Sequence, residues 1–550
     1  MTACIYYHPE GYTTSGPKLM GRNAAGKSFL KGFFAHSCAK EFYVQVENPD
    51  HARIFAGVAE KSGRKEPVRA VDKNSLAALA QAGVVYYPGP GIDGHAFKRA
   101  AFGHGAWSLC GITHTTASAS AMDSITQLIT APVQPWDAVI CTSTAVKDNV
   151  EKLLQAQVDY LQARLGMTKL VLPQLPVIPL GIHTQDFEFT QDQKAQARQT
   201  LNVDDHTIVV LYVGRLSFHA KAHPLAMYQA LEKAAQKTGQ KVLLVECGWH
   251  ANEAIAKAYA DAAQTACPGI RVITLDGRKP EDRLTAWAGA DIFCSLSDNI
   301  QETFGIVPIE AMAAGLPVVV SDWDGYRDTV RDGVDGFCIP TLMPGPGLGG
   351  DLAFRHALGM DTYDMYCGHT CSLVAVDVDA AAHAFIRLFE SSNLRQKMGN
   401  QGRQRAKEIY DWDKIIPRYE DLWENLNETR KAGASDLKPL AHPWPARPDP
   451  FHAFAAYPTQ ILTPETRLEL GADDLETAVQ KVNTFRQLSM VSFARLVLPE
   501  EVEVTTVLEA AAASQVTAID LIKNIPEHRR AFVFRSLVWL VKLGILKVCS

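Results

Sequence analysis

The sequence predicts an α/β chain of two Rossmann-like domains facing a cleft, followed by a small, mainly helical module whose element order is winged-helix-like. Three observations carry this. Short apolar runs alternate with longer amphipathic or Ala-rich stretches, the order expected of β-α units on a parallel sheet. The alternation stops at a Pro-containing crossover and then restarts, and a Pro-studded stretch sets off a last segment of different pattern. With 550 residues, 47% hydrophobic and 21% charged, the chain is long enough for about three domains and apolar enough to give each a core.

In the first half, GVVYYP from Gly83, WDAVICTS from Trp136 and KLVLPQLPVIPLGI from Lys169 read as strands. The segment VIPLGIHTQDFEF then crosses into a polar helix, and HTIVVLYVGRL, KVLLVECGW, RVITLDG, ADIFCSLS and LPVVVSDW restart the pattern. The expected domains are 1–190, completed by helices at 405–430, then 200–404, a Pro-rich linker at 431–456, and an accessory module at 457–550. A Gly/Pro-rich insertion from Pro340 to Ser372 exceeds an ordinary connection and reads as a lid or a loop decoration.

Composition excludes several classes. Lys and Arg number 54 against 60 Asp and Glu, a net charge of −6, so bulk nucleic-acid binding lacks its electrostatic basis. From Ile461 onward ten basic residues face eleven acidic ones, which argues against DNA binding by the last module as well. The eleven cysteines are odd in number and scattered, and Cys141 and Cys294 lie inside apolar runs, the pattern of reduced thiols. The N-terminus has no basic region followed by an apolar one. The late run VFRSLVWLVKLGILKV is too short to span a bilayer and carries Arg535 and Lys542. The expected location is the cytoplasm, with peripheral contact at the inner face of the membrane left open.

The chemistry concentrates in DNIQETFGIVPIEAMAAGLPVVVSDWD, Asp298 to Asp324. Glu302 leaves a strand at the carboxyl edge of a parallel sheet, where such folds bind ligands. Thr303, Phe304 and Gly305 open a helix whose N-terminus favours anionic groups, and Glu310 follows two turns on. A carboxylate accepts hydrogen bonds from sugar hydroxyls, so two carboxylates and a helix start suit a nucleotide sugar.

Here the chain resembles glycosyltransferase family 4, the retaining GT-B transferases, from about its N-terminus to Lys431. LYVGRLSFHAKAHP resembles the first strand of the family's donor domain with its Arg and Lys. This resemblance implies that Arg215 and Lys221 hold the donor diphosphate, with Gly214 beside them in the binding site. ETFGIVPIEAMAAGLPVVVSD resembles the paired-glutamate motif, implying that Glu302 holds the donor sugar and Glu310 the ribose, with Thr303, Phe304 and Gly305 lining the donor site. ITHTT resembles the His-Thr segment that turns His114 toward the donor sugar. VICTSTAV, IPLGIHTQDF and LRQKMGNQGRQRAKEIYDW match the later strand, the crossover and the closing helices.

The implied activity is metal-independent, cofactor-free transfer of a hexose-type sugar, with retention, from a nucleoside diphosphate sugar to a hydroxyl of a glycan or glycolipid acceptor in bacterial glycan synthesis. VECGWH departs from the glycine-rich end expected of the donor domain's second strand, and the insertion is larger than the family's pattern.

GRNAAGKS, Gly21 to Ser28, has the spacing of a Walker A loop with Lys27 on the phosphates. That motif needs an apolar strand directly before its first glycine, whereas TTSGPKLM precedes Gly21. The preferred reading is the glycine-rich loop after the first strand, with the Gly21 amide approaching the diphosphate. Cys367, His369 and Cys371 offer three ligands where a structural zinc site takes four. A phosphorylase-like use of the fold would need a pyridoxal lysine, and none is singled out. A non-catalytic scaffold is the remaining alternative. The last module reads as a helix, short strands or turns, AIDLIKNI, a turn at PEHRR and a final helix. The apolar residues of that helix (Phe532, Phe534, Leu537, Trp539, Leu540) exceed one face and point to a protein partner or a second copy.

Overall fold

The computed structural model describes residues 2–13, 21–513 and 515–549. The first parallel sheet holds β1 (Cys4–Tyr6), β2 (Phe42–Gln45), β3 (Val68–Val71), β4 (Val84–Tyr86), β5 (Ser108–Ile112) and β6 (Ala138–Ile140), in the order β3-β2-β1-β4-β5-β6. The second holds β7 (Ile208–Val213), β8 (Val242–Gly248), β9 (Arg271–Asp276), β10 (Ile292–Ser295), β11 (Val318–Ser321) and β12 (Gly336–Ile339), in the order β9-β8-β7-β10-β11-β12. The two orders are the same. Each sheet therefore reverses its winding once, between β1 and β4 and between β7 and β10, and ligands of such sheets bind outside the carboxyl ends of the strands at that reversal. The central strands are covered by helices on both faces, which is why they read as continuous β-branched runs: Val209 to Leu211 and Val318 to Val320 are fully buried.

The segment KLVLPQLPVIPLGI is not the regular strand the sequence predicts. It makes only isolated bridges, Gln174 to Ala138, Val177 to Cys141 and Ile182 to Asp411, because Pro173, Pro176 and Pro179 have no N–H to donate to a ladder. Beyond it the polar helix Gln191–Thr200 starts on a capping box between Thr190 and Gln193.

The chain returns to the first sheet beside the point where it left. Ile182 N donates to Tyr410 O (2.8 Å), Trp412 N donates to Ile182 O (3.1 Å), and Thr184 bonds the Asp411 carboxylate through its amide and its hydroxyl. Trp412 then pegs helix Trp412–Gly433 onto helix Gly21–His36. Its indole N–H donates to Ser28 Oγ at 2.9 Å, and a Cβ at Gly32 or Gly181 would meet its ring at 2.5 Å. Ile415, Ile416, Tyr419 and Trp423 bury the rest of that face among Phe29, Phe33 and Tyr86.

Contacts divide the chain into two compact units, one ending at Trp444 and one starting at Pro445. The first unit also holds a short antiparallel pair, β13 (Thr341–Leu342) and β14 (Ala375–Val376), and the second unit has its own core, with β15 (Arg467–Leu470) between β16 (Val516–Thr517) and β17 (Leu546–Val548) in an antiparallel sheet. Two expectations are corrected here. Helix Glu501–Ala512 stands where short strands or turns were expected, and PEHRR is no turn: Pro526 caps helix Glu527–Lys542, whose first turn is EHRR. The apolar residues of that last helix are also used within the module. Leu537 and Leu540 are in its core, Phe532, Phe534 and Trp539 pack against it, and the Arg529, Arg535 and Arg486 guanidiniums cover the rings of Phe532 and Trp539. Among the described residues, no helix is long and apolar enough to cross a membrane.

Candidate active site

The loops that follow β7 and β10 meet at the winding reversal of the second sheet and are tied together residue by residue. Arg215 Nη2 donates to Ala220 O (2.9 Å), Asn299 Nδ2 to His219 O (3.1 Å) and His223 N to Asp298 Oδ1 (3.2 Å). Lys221 Nζ lies 2.6 Å from Glu302 Oε2. The other oxygen of Glu302 accepts from Thr303 N (3.3 Å) and Gly305 N (3.1 Å). Burial pushes this carboxyl up, but the charge and hydrogen bond of Lys221, with the two amides, outweigh it and hold Glu302 below its ordinary value. The amides expected to meet an anionic ligand are thus bonded to Glu302 itself, which is the anion at this helix start.

Gly305 is the N-cap of helix Ile306–Ala314 and has φ +79°, with the Tyr326 ring where a Cβ would stand. No other residue fits there. Phe304 is in the core against Tyr410, so what it offers the site is backbone. Glu310, on the helix, is partly buried, and burial pushes its carboxyl up to about 7. Asp298 is raised to about 7 by the same cause. Gly214 and Gly248 bring the loops after β7 and β8 into backbone contact: the Gly214 carbonyl occupies the place of a Gly248 side chain, the reason VECGWH needs its glycine.

From the first sheet, the loops after β5 and β6 reach across. Thr303 Oγ1 donates to His114 O (2.8 Å), Ser143 Oγ donates to Thr303 O (2.7 Å), and Thr144 N donates to Asp328 Oδ2 (2.6 Å). His114 is therefore brought against Thr303, one residue from Glu302. Gly21 is not brought to this group in the way expected. Residues 21–28 form the first two turns of helix Gly21–His36 and not a loop, because Ala24, Ala25 and Lys27 favour helix and Gly26 packs closely on the Gly11 carbonyl. Residues 14–20 lie outside the described residues.

The insertion adds helix Tyr363–Cys371, which buries Cys367 and Cys371 on one face toward Phe218 and His219, in the loop that bears Lys221. His369 is on another face, 3.1 Å from Asp361. Tyr363 OH meets Thr115 Oγ1 at 3.3 Å, so the insertion also touches the first half.

A cavity of about 420 Å³ opens beside Glu302, walled by Ile300, Trp323 and Asp324 from the second half and by Thr116 and Asn149 from the first. Its walls from the second half follow β10, β11 and β12. Lys221 and Arg215 follow β7, which lies on the other side of β10, and neither is among the residues that line the cavity. Asp298, Asn299, Ser143 and Asp324 were given no role from sequence. The polar cluster SDN directly after a buried strand was the available signal for the first two.

The family model of glycosyl transferases group 1 matches residues 193–342. The D-inositol 3-phosphate glycosyltransferase of Corynebacterium diphtheriae is 30% identical over 151 residues, 27% of this chain and 35% of that protein. The phosphatidyl-myo-inositol mannosyltransferase of Mycobacterium leprae is 30% identical over 145 residues, 26% and 29% of the two chains. The chain thus spans about a third of the length of these curated relatives. Among solved structures, Anabaena Alr3699/HepE in complex with UDP and glucose aligns with a TM-score of 0.50 at 15% identity, over 77% of this chain and 100% of the other. The fold is GT-B, and the stretch similar to the glycosyl transferases group 1 family, residues 193–342, spans β7 to β12 of the second sheet.

Proposed function

We propose that the chain is a retaining glycosyltransferase that moves a hexose-type sugar from a nucleoside diphosphate sugar to a hydroxyl of a glycan or glycolipid acceptor, without metal or cofactor. The observation that carries this reading is the Lys221–Glu302 pair at the winding reversal, with Glu302 fixed by two amides. The carboxylate is ionised and oriented, ready to accept hydrogen bonds from donor-sugar hydroxyls. Lys221 has three donor hydrogens and uses one on Glu302, which leaves two for the phosphates. Arg215 stands in the same loop.

As the bond between sugar and diphosphate breaks, negative charge grows on the leaving phosphate, and fixed cations attract it more strongly in the transition state than before. The leaving phosphate, on the same face as the incoming hydroxyl, takes the acceptor's proton, which gives retention without a second carboxylate across the bond. Retaining hydrolases instead place two carboxylates about 5 Å apart. His114 stands at the donor sugar in this reading, Gly214 and Gly21 near the diphosphate, and Glu310 at the ribose. The relatives' names, an inositol phosphate glycosyltransferase and a mannosyltransferase, and the UDP in the Anabaena protein support the substrate class.

The experiment is a screen of UDP-, GDP-, ADP- and dTDP-sugars for binding and hydrolysis with EDTA present. Arg215→Ala and Lys221→Ala should each raise the barrier by about 2 to 4 kcal/mol. Strict dependence on added divalent metal, or no response to any nucleotide sugar, overturns the reading.

A further inference from the structure

We propose that Asp324 is a specificity-determining residue of the cleft, admitting a neutral, hydroxyl-bearing part of the acceptor to the cavity beside Glu302 and turning away a phosphorylated or carboxylated one. The inference rests on the glycosyltransferase reading and goes further by naming the acceptor's chemistry.

Asp324 is unusual in two independent ways. Its backbone has φ +46°, in the left-handed region that side chains other than Gly, Asn and Asp rarely occupy. Its Oδ2 is enclosed with no hydrogen-bond partner, although the residue forms part of the cavity wall. The other oxygen is only 3.4 Å from Ser143 Oγ, and the single proton of that hydroxyl is directed to Thr303 O at 2.7 Å. A strained backbone and an unsatisfied carboxyl both cost free energy, and a fold that keeps both at a cavity wall has a ligand there to satisfy the second.

The chemistry of the wall selects the ligand. Glu302, Asp322 and Asp324 bring three carboxyl groups to it. The one guanidinium, that of Arg327, is 3.4 Å from Asp322. A phosphate placed there would add its charge to that of Glu302, which Lys221 keeps ionised, and would meet one cation, Arg327, whose Nε faces Asp322, against three carboxyl groups. Burial and the neighbouring Glu302 and Asp328 charges push the Asp324 carboxyl well up, against the pull of the Ser143 hydroxyl and the Gly325 amide. A hydroxyl donates and accepts, so it satisfies Asp324 in either protonation state, whereas a phosphate has no proton to give an ionised one. Trp323, whose indole N–H is spent on Asn299 O at 3.1 Å, leaves an aromatic face in the same wall for the C–H side of a ring.

The test uses two matched pairs on the full chain with UDP present: myo-inositol against 1D-myo-inositol 3-phosphate, and methyl α-mannoside against its 6-phosphate. Binding is read by ligand-detected NMR, and transfer from UDP-glucose and GDP-mannose is read separately. The neutral member of a pair should bind at least tenfold tighter, and Asp324→Asn and Asp324→Gly should each cut that ratio at least fivefold. Asp324→Gly removes the carboxyl at a position whose φ glycine adopts freely, so loss of folding does not cloud the result. Equal or tighter binding of the phosphorylated members, binding of none, or an unchanged ratio in both variants overturns the proposal. If the ratio behaves as expected and no nucleotide sugar is used, the glycosyltransferase reading fails alone. If transfer occurs and favours the phosphorylated acceptors, the Asp324 proposal fails alone.

Discussion

Lys221 Nζ and Glu302 Oε2 are 2.6 Å apart although 81 positions separate the two residues in the chain. Each comes from a loop at the end of a different strand, and the sheet brings the loops together by setting β7 beside β10. The pair is partly shielded, with the side chains 28% and 11% exposed, so it is worth more than a surface ion pair and less than a fully buried one.

Removing Glu302 should stop transfer and weaken the fold modestly. Glu302→Ala leaves Lys221 and the Thr303 and Gly305 amides without their acceptor, a loss of about 1 to 3 kcal/mol. The measurement is sugar transfer alongside denaturant unfolding. Wild-type transfer by a folded Glu302→Ala protein would remove the glutamate from the mechanism.

Asp298 gives stability a pH dependence with a definite sign. Burial raises its carboxyl from 3.8 to about 7, so the folded protein keeps this proton where the unfolded chain has lost it. Its contribution is complete below about pH 4 and declines as pH rises toward 7, by at most about 1.4 kcal/mol per pH unit. Glu246, raised to about 7 by burial against the pull of the Tyr228 hydroxyl, acts in the same sense. Unfolding free energies of wild type and Asp298→Asn from pH 4 to 7 should show the smaller decline in the variant. Parallel curves would show that Asp298 does not titrate across this range.

Gly305→Ala should cost about 2 to 4 kcal/mol, since a residue with φ +79° is strained and its new methyl group meets the Tyr326 ring. Chemical denaturation measures it. A variant as stable as wild type would mean that the start of helix Ile306–Ala314 can shift freely.

Truncation before Tyr457 should leave a folded protein that still hydrolyses its donor, because the unit from Pro445 onward has a core of its own, built on Leu468, Val507, Leu537 and Ile545. Circular dichroism and donor hydrolysis decide it. A truncated chain that folds but has lost hydrolysis would make the last unit part of the catalytic body.

Much of the second half was legible in the sequence because its signals are local. Strands β7, β10 and β11 are built on apolar runs (IVVLYV, IFC and VVV), and Glu302 and Glu310 sit in one strand-loop-helix stretch whose order fixes their surroundings. The first half is harder to read. β1 is only Cys4 to Tyr6 and is a strand because β2 and β4 pair with it on both sides, a property of its neighbours and not of three residues. Residues 169–182 have strand composition but prolines at the wrong spacing, and within helical residues 21–28 Gly26 serves packing against Gly11 and not a loop. The ties of Asn299 to His219 and of Ser143 to Thr303 join residues far apart in sequence, and no periodicity announces them.

The seam formed by Ile182, Tyr410 and Trp412 has a mechanical consequence. Both chain crossings between the halves run along it, hydrogen-bonded to each other, so the halves share one pivot line and cannot slide apart without breaking it. Any swing about that line displaces atoms in proportion to their distance from it. The short bonds from Thr303 to His114 and from Thr144 to Asp328 act as buttons on the free edge of a flap, each small enough to be undone singly. Opening the cleft therefore requires the loss of a few individual polar contacts and leaves both hydrophobic cores whole.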